Sequence, residues 1–379
     1  MPSALNLLNG QPFADVLVRW QKQHGRQTLP WQHTGDAYKV WLSEVMLQQT
    51  QVATVLAYYA KFLQVYPTVA DLAAAPEQDV MQLWAGLGYY TRARNLHACA
   101  KQVVARFGGQ FPHTVAELES LPGIGESTAG AIASLAYGVQ APILDGNVKR
   151  VFCRYYGVEG YPEQSAIKKS LWRIAAGNVP VAQPGVYNQA LMDLGATCCV
   201  PRNPNCAACP LMKSCEALRK GMVGLLPTPK PKKARPELFF ISLLVEDEHG
   251  GVLLELQTEK GVWQGLWMVP SVQCASAPSV RDIQQWLDAR LGDFSLLDFR
   301  AQLVQQLDAL DQQNWLVHEL THRKMHFKVL HVKVNGEWPQ CYTPNEKPVP
   351  KIVHKLIVQA ANQNGSVQGS VANQNALDF

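Results

Sequence analysis

From about residue 11 to residue 216, apolar positions recur at the three-to-four-residue spacing of amphipathic helices. Asp36 to Tyr66 reads as one long helical stretch, Glu77 to Trp84 as another, and Thr91 to Phe107 as a helix with a basic face. Thr114 with Glu117 three residues later is a capping-box signature that opens a short helix. That helix runs into Leu121-Pro122-Gly123-Ile124-Gly125, and a second helix, from about Ser127 to Tyr137, closes at Gly138. Residues 221–237 lose the periodicity. They carry four prolines together with Lys230, Lys232, Lys233 and Arg235, and read as a linker.

Beyond the linker the pattern changes to strands. Leu238–Val245 and Val252–Gln257 flank an acidic turn, Trp315–Val317 and Phe327–Val334 look like further strands, and Arg281–Arg290 like a helix. Residues 360–379 are rich in Asn, Gln, Ser and Ala, too polar to fund a packed core. The expected organisation is a mainly α domain over 1–220, a linker over 221–237, a small α+β domain over 238–359 and a disordered tail over 360–379.

Composition narrows the class without deciding it. The chain of 379 residues is 47% apolar and 17% charged with a net charge of +4, so any nucleic-acid surface must be a local basic patch. Arg92, Arg94, Arg202 and Lys213 are candidates for it, each equally readable as part of a solvated face. No apolar run approaches the roughly 18 residues of a membrane span, and the N-terminus carries no secretory pattern. A cytoplasmic, monomeric protein is expected.

Five of the nine cysteines lie between Cys198 and Cys215, too dense for a dispersed disulfide framework. Cys199, Cys206, Cys209 and Cys215, at gaps of six, two and five residues, can converge on one metal centre. The spacing leaves structural zinc and an iron–sulfur cluster both open, although the first gap fits paired zinc knuckles poorly. Cys198 is an additional possible ligand.

Gly123 and Gly125 allow a tight turn and a close backbone approach, and the helix that follows points its first amides at any anion bound there. An ordinary turn between two helices would use the same residues. Glu44 falls on a largely apolar helix face with Val40, Trp41, Leu47 and Gln48. Partial burial there would raise its pKa towards the range of a general acid, whereas an edge position would leave it ordinary. Asp145 sits in Ile143-Leu144-Asp145-Gly146-Asn147, where a turn or an N-cap is the plain reading.

Taken together, the glycine hairpin, an aspartate 20 residues after Gly125 and the cysteine loop resemble the helix–hairpin–helix DNA glycosylases of the endonuclease III superfamily. Leu29-Pro30-Trp31, the segment from Trp41 through Glu44 to Thr50, Gly86-Leu87-Gly88-Tyr89-Tyr90 and Ile143 to Arg150 look like the branch that removes adenine mispaired with 8-oxoguanine or G. The resemblance runs from about residue 11 to 350 and is much weaker after the linker. It implies a [4Fe–4S] cluster on Cys199, Cys206, Cys209 and Cys215, and double-stranded DNA carrying A:8-oxoguanine or A:G as partner, in the nucleoid. It further implies Glu44 as the acid that protonates the adenine ring and activates water, and Asp145 as the carboxylate that stabilises the sugar cation. Asn147 would help position Asp145, Tyr89 would wedge into the base stack, and Gln48 would probe the opened duplex. Bifunctional relatives carry a lysine where this chain has Ser127, which implies a glycosylase that does not nick the strand.

The region after the linker resembles a Nudix hydrolase through Gly261 to Trp267 and Pro270, but it lacks the clustered carboxylates that would hold magnesium. A binding role towards 8-oxoguanine is implied instead. Leu320-Thr321-His322 is the nearest match to the family's Phe-Ser-His reading loop, so His322 is the candidate contact and Leu320 departs from the pattern. The fold expected is therefore a mainly α helix–hairpin–helix glycosylase with an iron–sulfur loop, plus a small α+β Nudix-like domain. Two rival readings are a bifunctional glycosylase/lyase, opposed by Ser127, and a non-catalytic zinc-containing DNA-binding protein, opposed by Glu44 with Asp145.

Overall fold

The computed structural model describes residues 7–8, 11–231, 235–274, 280–291, 302–303, 306–307, 310, 313–320, 322–336, 338 and 340–363. The chain divides into two compact units, one of residues 1–75 and 94–232, the other of residues 76–93 and 233–379.

The first unit is helical apart from a short hairpin, β1 (Leu7–Leu8) with β2 (Gln11–Pro12). Its helices are α1 (Phe13–His24), α2 (Ala37–Leu47), α3 (Val52–Val65), α4 (Val69–Ala74), most of α6 (Thr91–Phe107), α7 (Val115–Glu119), α8 (Glu126–Tyr137), α9 (Gly146–Tyr156), α10 (Ser165–Asn178), α11 (Pro184–Thr197) and α12 (Glu216–Arg219). The expected helix from Asp36 to Tyr66 is two helices. Gln48 caps α2 in an extended conformation and Gln49 takes a positive φ of 59°, so the chain turns before α3 begins. Thr114 caps α7 as its sequence predicts, its Oγ1 accepting from the Glu117 amide at 3.2 Å. Gly138 and Gly157 end α8 and α9 in the left-handed conformation that glycine adopts without strain.

One core of this unit gathers α1, α8, α9 and α11 around Phe13, Leu17, Val148, Phe152, Tyr187 and Leu191. Glycines set how closely these elements meet. A Cβ on Gly130 of α8 would lie 2.1 Å from the Pro142 carbonyl oxygen, and one on Gly195 of α11 would lie 2.5 Å from Asn147 Cβ. Both positions grip the segment that carries Asp145.

The second unit holds a mixed sheet in the order β10–β4–β3–β9–β8, with β7 also paired to β3. Its strands are β3 (Glu237–Glu246), β4 (Val252–Leu253), β7 (Ser271–Cys274), β8 (Leu316–Leu320), β9 (Arg323–Lys333) and β10 (Cys341–Tyr342). A separate ribbon pairs β5 (Glu255–Leu256) with β6 (Trp267–Met268). β3 and β9 run parallel at the centre and are buried almost along their full lengths, as a sheet covered on both faces requires. Helix α13 (Val280–Leu291) contributes Ile283 and Leu287 to one face. Helix α14 (Lys351–Gln363) contributes Ile352, Val353, Leu356 and Ala360 to the other.

Two expectations change here. Helix α14 runs to Gln363, into the segment expected as tail, because Ala360 is fully buried; residues 364–379 lie outside the described residues. Helix α5 (Glu77–Leu83) and its following loop, expected within the helical domain, pack with the strand-rich unit. Gln82 Nε2 donates to the Asn345 carbonyl at 2.7 Å and Trp267 Nε1 to Gln78 Oε1 at 3.2 Å. Among the described residues no helix is long and apolar enough to cross a membrane.

The glycine contacts give the first prediction. Gly195→Ala should cost about 1–3 kcal/mol of stability through overpacking against Asn147, measured by urea unfolding. An unchanged midpoint would show that the α9–α11 approach is looser than described.

Candidate active site

Glu44 lies on α2, half-buried, next to the fully buried Trp41 and Leu42. Asp145 is the N-cap of α9, its Oδ1 accepting from the Val148 amide at 2.8 Å. The capping role expected of it from sequence is therefore present. The two carboxylates come close enough that Asp145 raises the pKa of Glu44. Burial is the larger cause and, with the neighbouring negative charge, pushes Glu44 from 4.5 to about 7. Asp145 is also raised by burial, but it is pulled back by the Val148 amide, the charge of Arg150 and the side chain of Asn147. One carboxyl is left to protonate near neutrality, while the other is furnished with donors that favour its ionised form.

The segment leading to Asp145 is held at several points. Ser127 Oγ, in the first turn of α8, accepts from the Leu144 amide at 2.9 Å. Asn147 Nδ2 donates to Asp145 Oδ2 at 3.3 Å, and Arg150 Nη2 donates to Asn147 Oδ1 at 2.7 Å. Arg150 continues outward, with Nε donating to the Cys199 carbonyl at 2.7 Å and Nη2 to the Gly195 carbonyl at 2.6 Å. A hydrogen-bonded path thus joins the first residue of the cysteine loop to the carboxylate. Lys149 points elsewhere, paired with Glu163 at 2.5 Å.

The hairpin buries Leu121 and Ile124 while Gly123 and Gly125 face solvent. Gly123 has φ +75°, and a Cβ there would lie 2.7 Å from Asn95 Cβ, so two constraints favour glycine. Gly125 is the N-cap of α8 and offers no side-chain acceptor to the first amides of that helix. These amides are available to an external anion.

Cys199, Cys206, Cys209 and Cys215 line one small cavity together with Arg154 and Cys198. All are free thiols. Arg154 Nη1 donates to Cys199 Sγ at 3.4 Å and to the Val200 carbonyl at 2.7 Å, fixing the loop to α9. Cys198 is the most buried of the five and donates its thiol to the Asn205 carbonyl at 3.2 Å. Among the described residues no three His, Cys, Asp or Glu side chains close on a single ion position. An open cavity of about 750 Å³ beside the loop is lined by Arg19, Trp20, His24 and Lys213.

The first unit has a further cavity of about 390 Å³, lined by Val40 and Ser43 of α2 and by Trp31, Gln27, Gln32 and Gln189. Sequence reasoning missed these amides, since isolated glutamines carry no motif. The fully buried Asp193 orders two of its walls. Its carboxylate accepts from Gln189 Nε2 at 3.0 Å and Gln21 Nε2 at 2.9 Å, and forms an ion pair with Arg26 at 2.6 Å. Gln32 Nε2 is buried without a hydrogen-bond partner.

The remaining expected residues are placed as follows. Gln48 is the half-buried C-cap of α2. Tyr89 is exposed, with a left-handed backbone, and belongs to the second unit. In that unit His322 is exposed in the two-residue turn between β8 and β9, while Thr321 lies outside the described residues. Arg92 departs from its expected place in a basic patch, because its side chain is buried against the Tyr89 loop. Arg202 and Lys213 are exposed.

A glycine hairpin, a carboxylate pair and a four-cysteine loop on one helical unit define the architecture of a base-excision glycosylase. Residues 42–176 match the HhH-GPD superfamily of base excision DNA repair proteins, and residues 241–359 match the NUDIX domain. The chain is 34% identical to the adenine DNA glycosylase of Buchnera aphidicola subsp. Baizongia pistaciae over 352 residues, 91% of this chain and 96% of that protein. It is 46% identical to the adenine DNA glycosylase of Homo sapiens over 217 residues, 55% of this chain and 40% of that protein. Among solved structures, a thermostable thymine-DNA glycosylase superposes with a TM-score of 0.51 at 31% identity, over 55% of this chain and 95% of that one. The chain belongs to the adenine DNA glycosylases of base excision repair, the MutY branch of that superfamily.

Proposed function

We propose that the protein hydrolyses the N-glycosidic bond of adenine mispaired with 8-oxoguanine or G in duplex DNA, without cutting the strand. The observation that carries this reading is Glu44, half-buried, raised to about 7 and set against a hydrogen-bonded Asp145. Adenine is flipped from the duplex to reach them. Neutral Glu44 donates its proton to the adenine ring as the bond from C1′ to nitrogen breaks. The bonding electrons leave with the base, and the sugar becomes an oxocarbenium-like cation. Ionised Asp145 faces that cation and stabilises it. Glu44, now a carboxylate, takes a proton from water as the water oxygen bonds to C1′, which restores the acid.

The cavity lined by Trp31, Gln27, Gln32 and Gln189 supports the choice of a base as substrate, since amides can match both donor and acceptor atoms on one edge of a purine. The hairpin amides at Gly123 and Gly125 would take a DNA phosphate, and exposed Arg202 and Lys213 others. Ser127 accepts a backbone hydrogen bond and has no amine, so it cannot form the Schiff base of a lyase. Tyr89 and His322 lie on the other unit and are read as probes of the oxidised strand, with Gln48 as a probe of the opened duplex.

The four thiols fit a [4Fe–4S] cluster held by Cys199, Cys206, Cys209 and Cys215. They line one cavity, yet among the described residues no three of them close on a single ion position, which suits a larger cluster better than one tetrahedral ion. When bound, the cluster would tie four points of the loop into one rigid body. Arg150 and Asn147 connect that body to Asp145.

Single-turnover adenine release from A:8-oxoguanine duplexes should fall roughly 10²- to 10⁴-fold in Glu44→Gln and in Asp145→Asn. In the wild type, release should decline as pH rises through about 7, where Glu44 loses the proton it donates. The same reactions should leave the strand intact without base or heat. Full release by both variants would refute the assigned roles. Protein purified without chelators should be brown, with broad visible absorbance, and Cys206→Ser should lose that colour; a colourless protein containing one zinc would contradict the cluster.

A further inference from the structure

Tyr89 shows 47% of its surface to solvent from a backbone with φ +50°. That conformation is unfavourable for a residue with a Cβ, and an exposed ring has little packing of its own to enforce it. The local chain must therefore hold it. Gly86 and Gly88, with φ of 98° and 70°, let the loop turn sharply on either side of Leu87. The Trp84 indole Nε1 donates to the Gly88 carbonyl at 3.0 Å, and the Arg92 amide donates to the Tyr89 carbonyl at 2.8 Å.

The centre of this arrangement is the Arg92 side chain. Nη2 donates to the carbonyls of both Leu87 and Gly88 at 3.2 Å. The guanidinium carbon lies 5.5 Å from the Tyr89 ring centroid and 5.1 Å from that of Trp84, within cation–π range of both. Only 8% of Arg92 is exposed, so it is not placed to meet a phosphate. Burial lowers its pKa only to about 10, which leaves it cationic at neutral pH.

We propose that Arg92 is a positioning residue for lesion recognition, which fixes the Tyr89 loop and supports the ring so that the wedge is already formed when duplex DNA arrives. The proposal rests on the reading of Tyr89 as the residue that enters the base stack. A preset ring gives up little freedom on binding, and the stacking it gains counts almost entirely towards recognition. Lysine could not substitute. A compact ammonium has no planar face to lie along the Tyr89 and Trp84 rings while it donates to the two carbonyls.

The test is a double-mutant cycle on the full chain. Affinity is measured for a duplex carrying non-hydrolysable 2′-fluoro-adenosine opposite 8-oxoguanine and for the matched duplex, with thermal midpoints recorded alongside. Tyr89→Leu and Arg92→Met should each reduce the preference for the lesion duplex by about tenfold. Arg92→Lys should lose nearly as much, and it carries the test if Arg92→Met folds poorly. In the Tyr89→Leu background, either arginine substitution should add no more than about a twofold loss.

Losses that multiply in the double variant would overturn the proposal while leaving Tyr89 its role. Arginine variants that weaken both duplexes equally, or that change nothing, would overturn it as well. If Tyr89→Leu were harmless while Arg92→Met was not, the proposal would fall because the wedge reading had failed.

Discussion

Two neighbouring buried carboxylates repel each other, and burial makes each more costly to ionise. The fold resolves this by giving them unequal surroundings. Asp145 has an amide, an asparagine side chain and a nearby guanidinium, all favouring its charge. Among the described residues Glu44 has no such offset, only burial and the charge of Asp145, both of which favour the proton. In the proposed mechanism this inequality is what would let one group act as acid beside the charge of the other. Much of the first unit can be understood as the means of keeping these two groups near each other but different.

The means are mostly backbone packing. Asp145 caps a helix, and the chain on either side of it is held at glycines, Pro142 against Gly130 of α8 and Asn147 against Gly195 of α11, that allow contact closer than a Cβ would permit. Ser127 secures the Leu144 amide, and Arg150 extends the hydrogen bonding to the carbonyl of Cys199. The cysteine loop is thus tied to the aspartate through Arg150 and Asn147. The strand-rich unit carries Tyr89 and His322 on separate turns, so the groups assigned to reading the lesion sit on a different body from the groups assigned to chemistry.

The helix periodicity, the hairpin and the cysteine spacing were legible because each depends on residues close in sequence. Glu44 and Asp145 were each ambiguous alone, since an apolar helix face and an Asp-Gly turn have ordinary explanations. What separates them from those explanations is mutual proximity across about a hundred residues of chain, which spacing does not encode and which entered through resemblance. The break at Gln49 was missed because no glycine or proline marks it. The segment 76–93 was assigned by sequence order to the helical domain, whereas its hydrogen bonds reach Asn345 and Trp267. Arg92 looked like a DNA contact because charge suggests exposure, yet its partners are two carbonyls and two rings within eight residues of it. Asp193 gave no signal at all, since a lone aspartate in a helix pattern ordinarily faces water.

The unequal titration of the carboxylate pair can be observed directly. With glutamate side chains labelled by ¹³C at the carboxyl carbon and Glu44 assigned by its loss in Glu44→Gln, its resonance is followed against pH in the wild type and in Asp145→Asn. The account predicts a wild-type midpoint near 7, which falls when the neighbouring charge is removed but stays above the ordinary 4.5, because burial is the larger cause. A midpoint at the ordinary value, unmoved by Asp145→Asn, would contradict it.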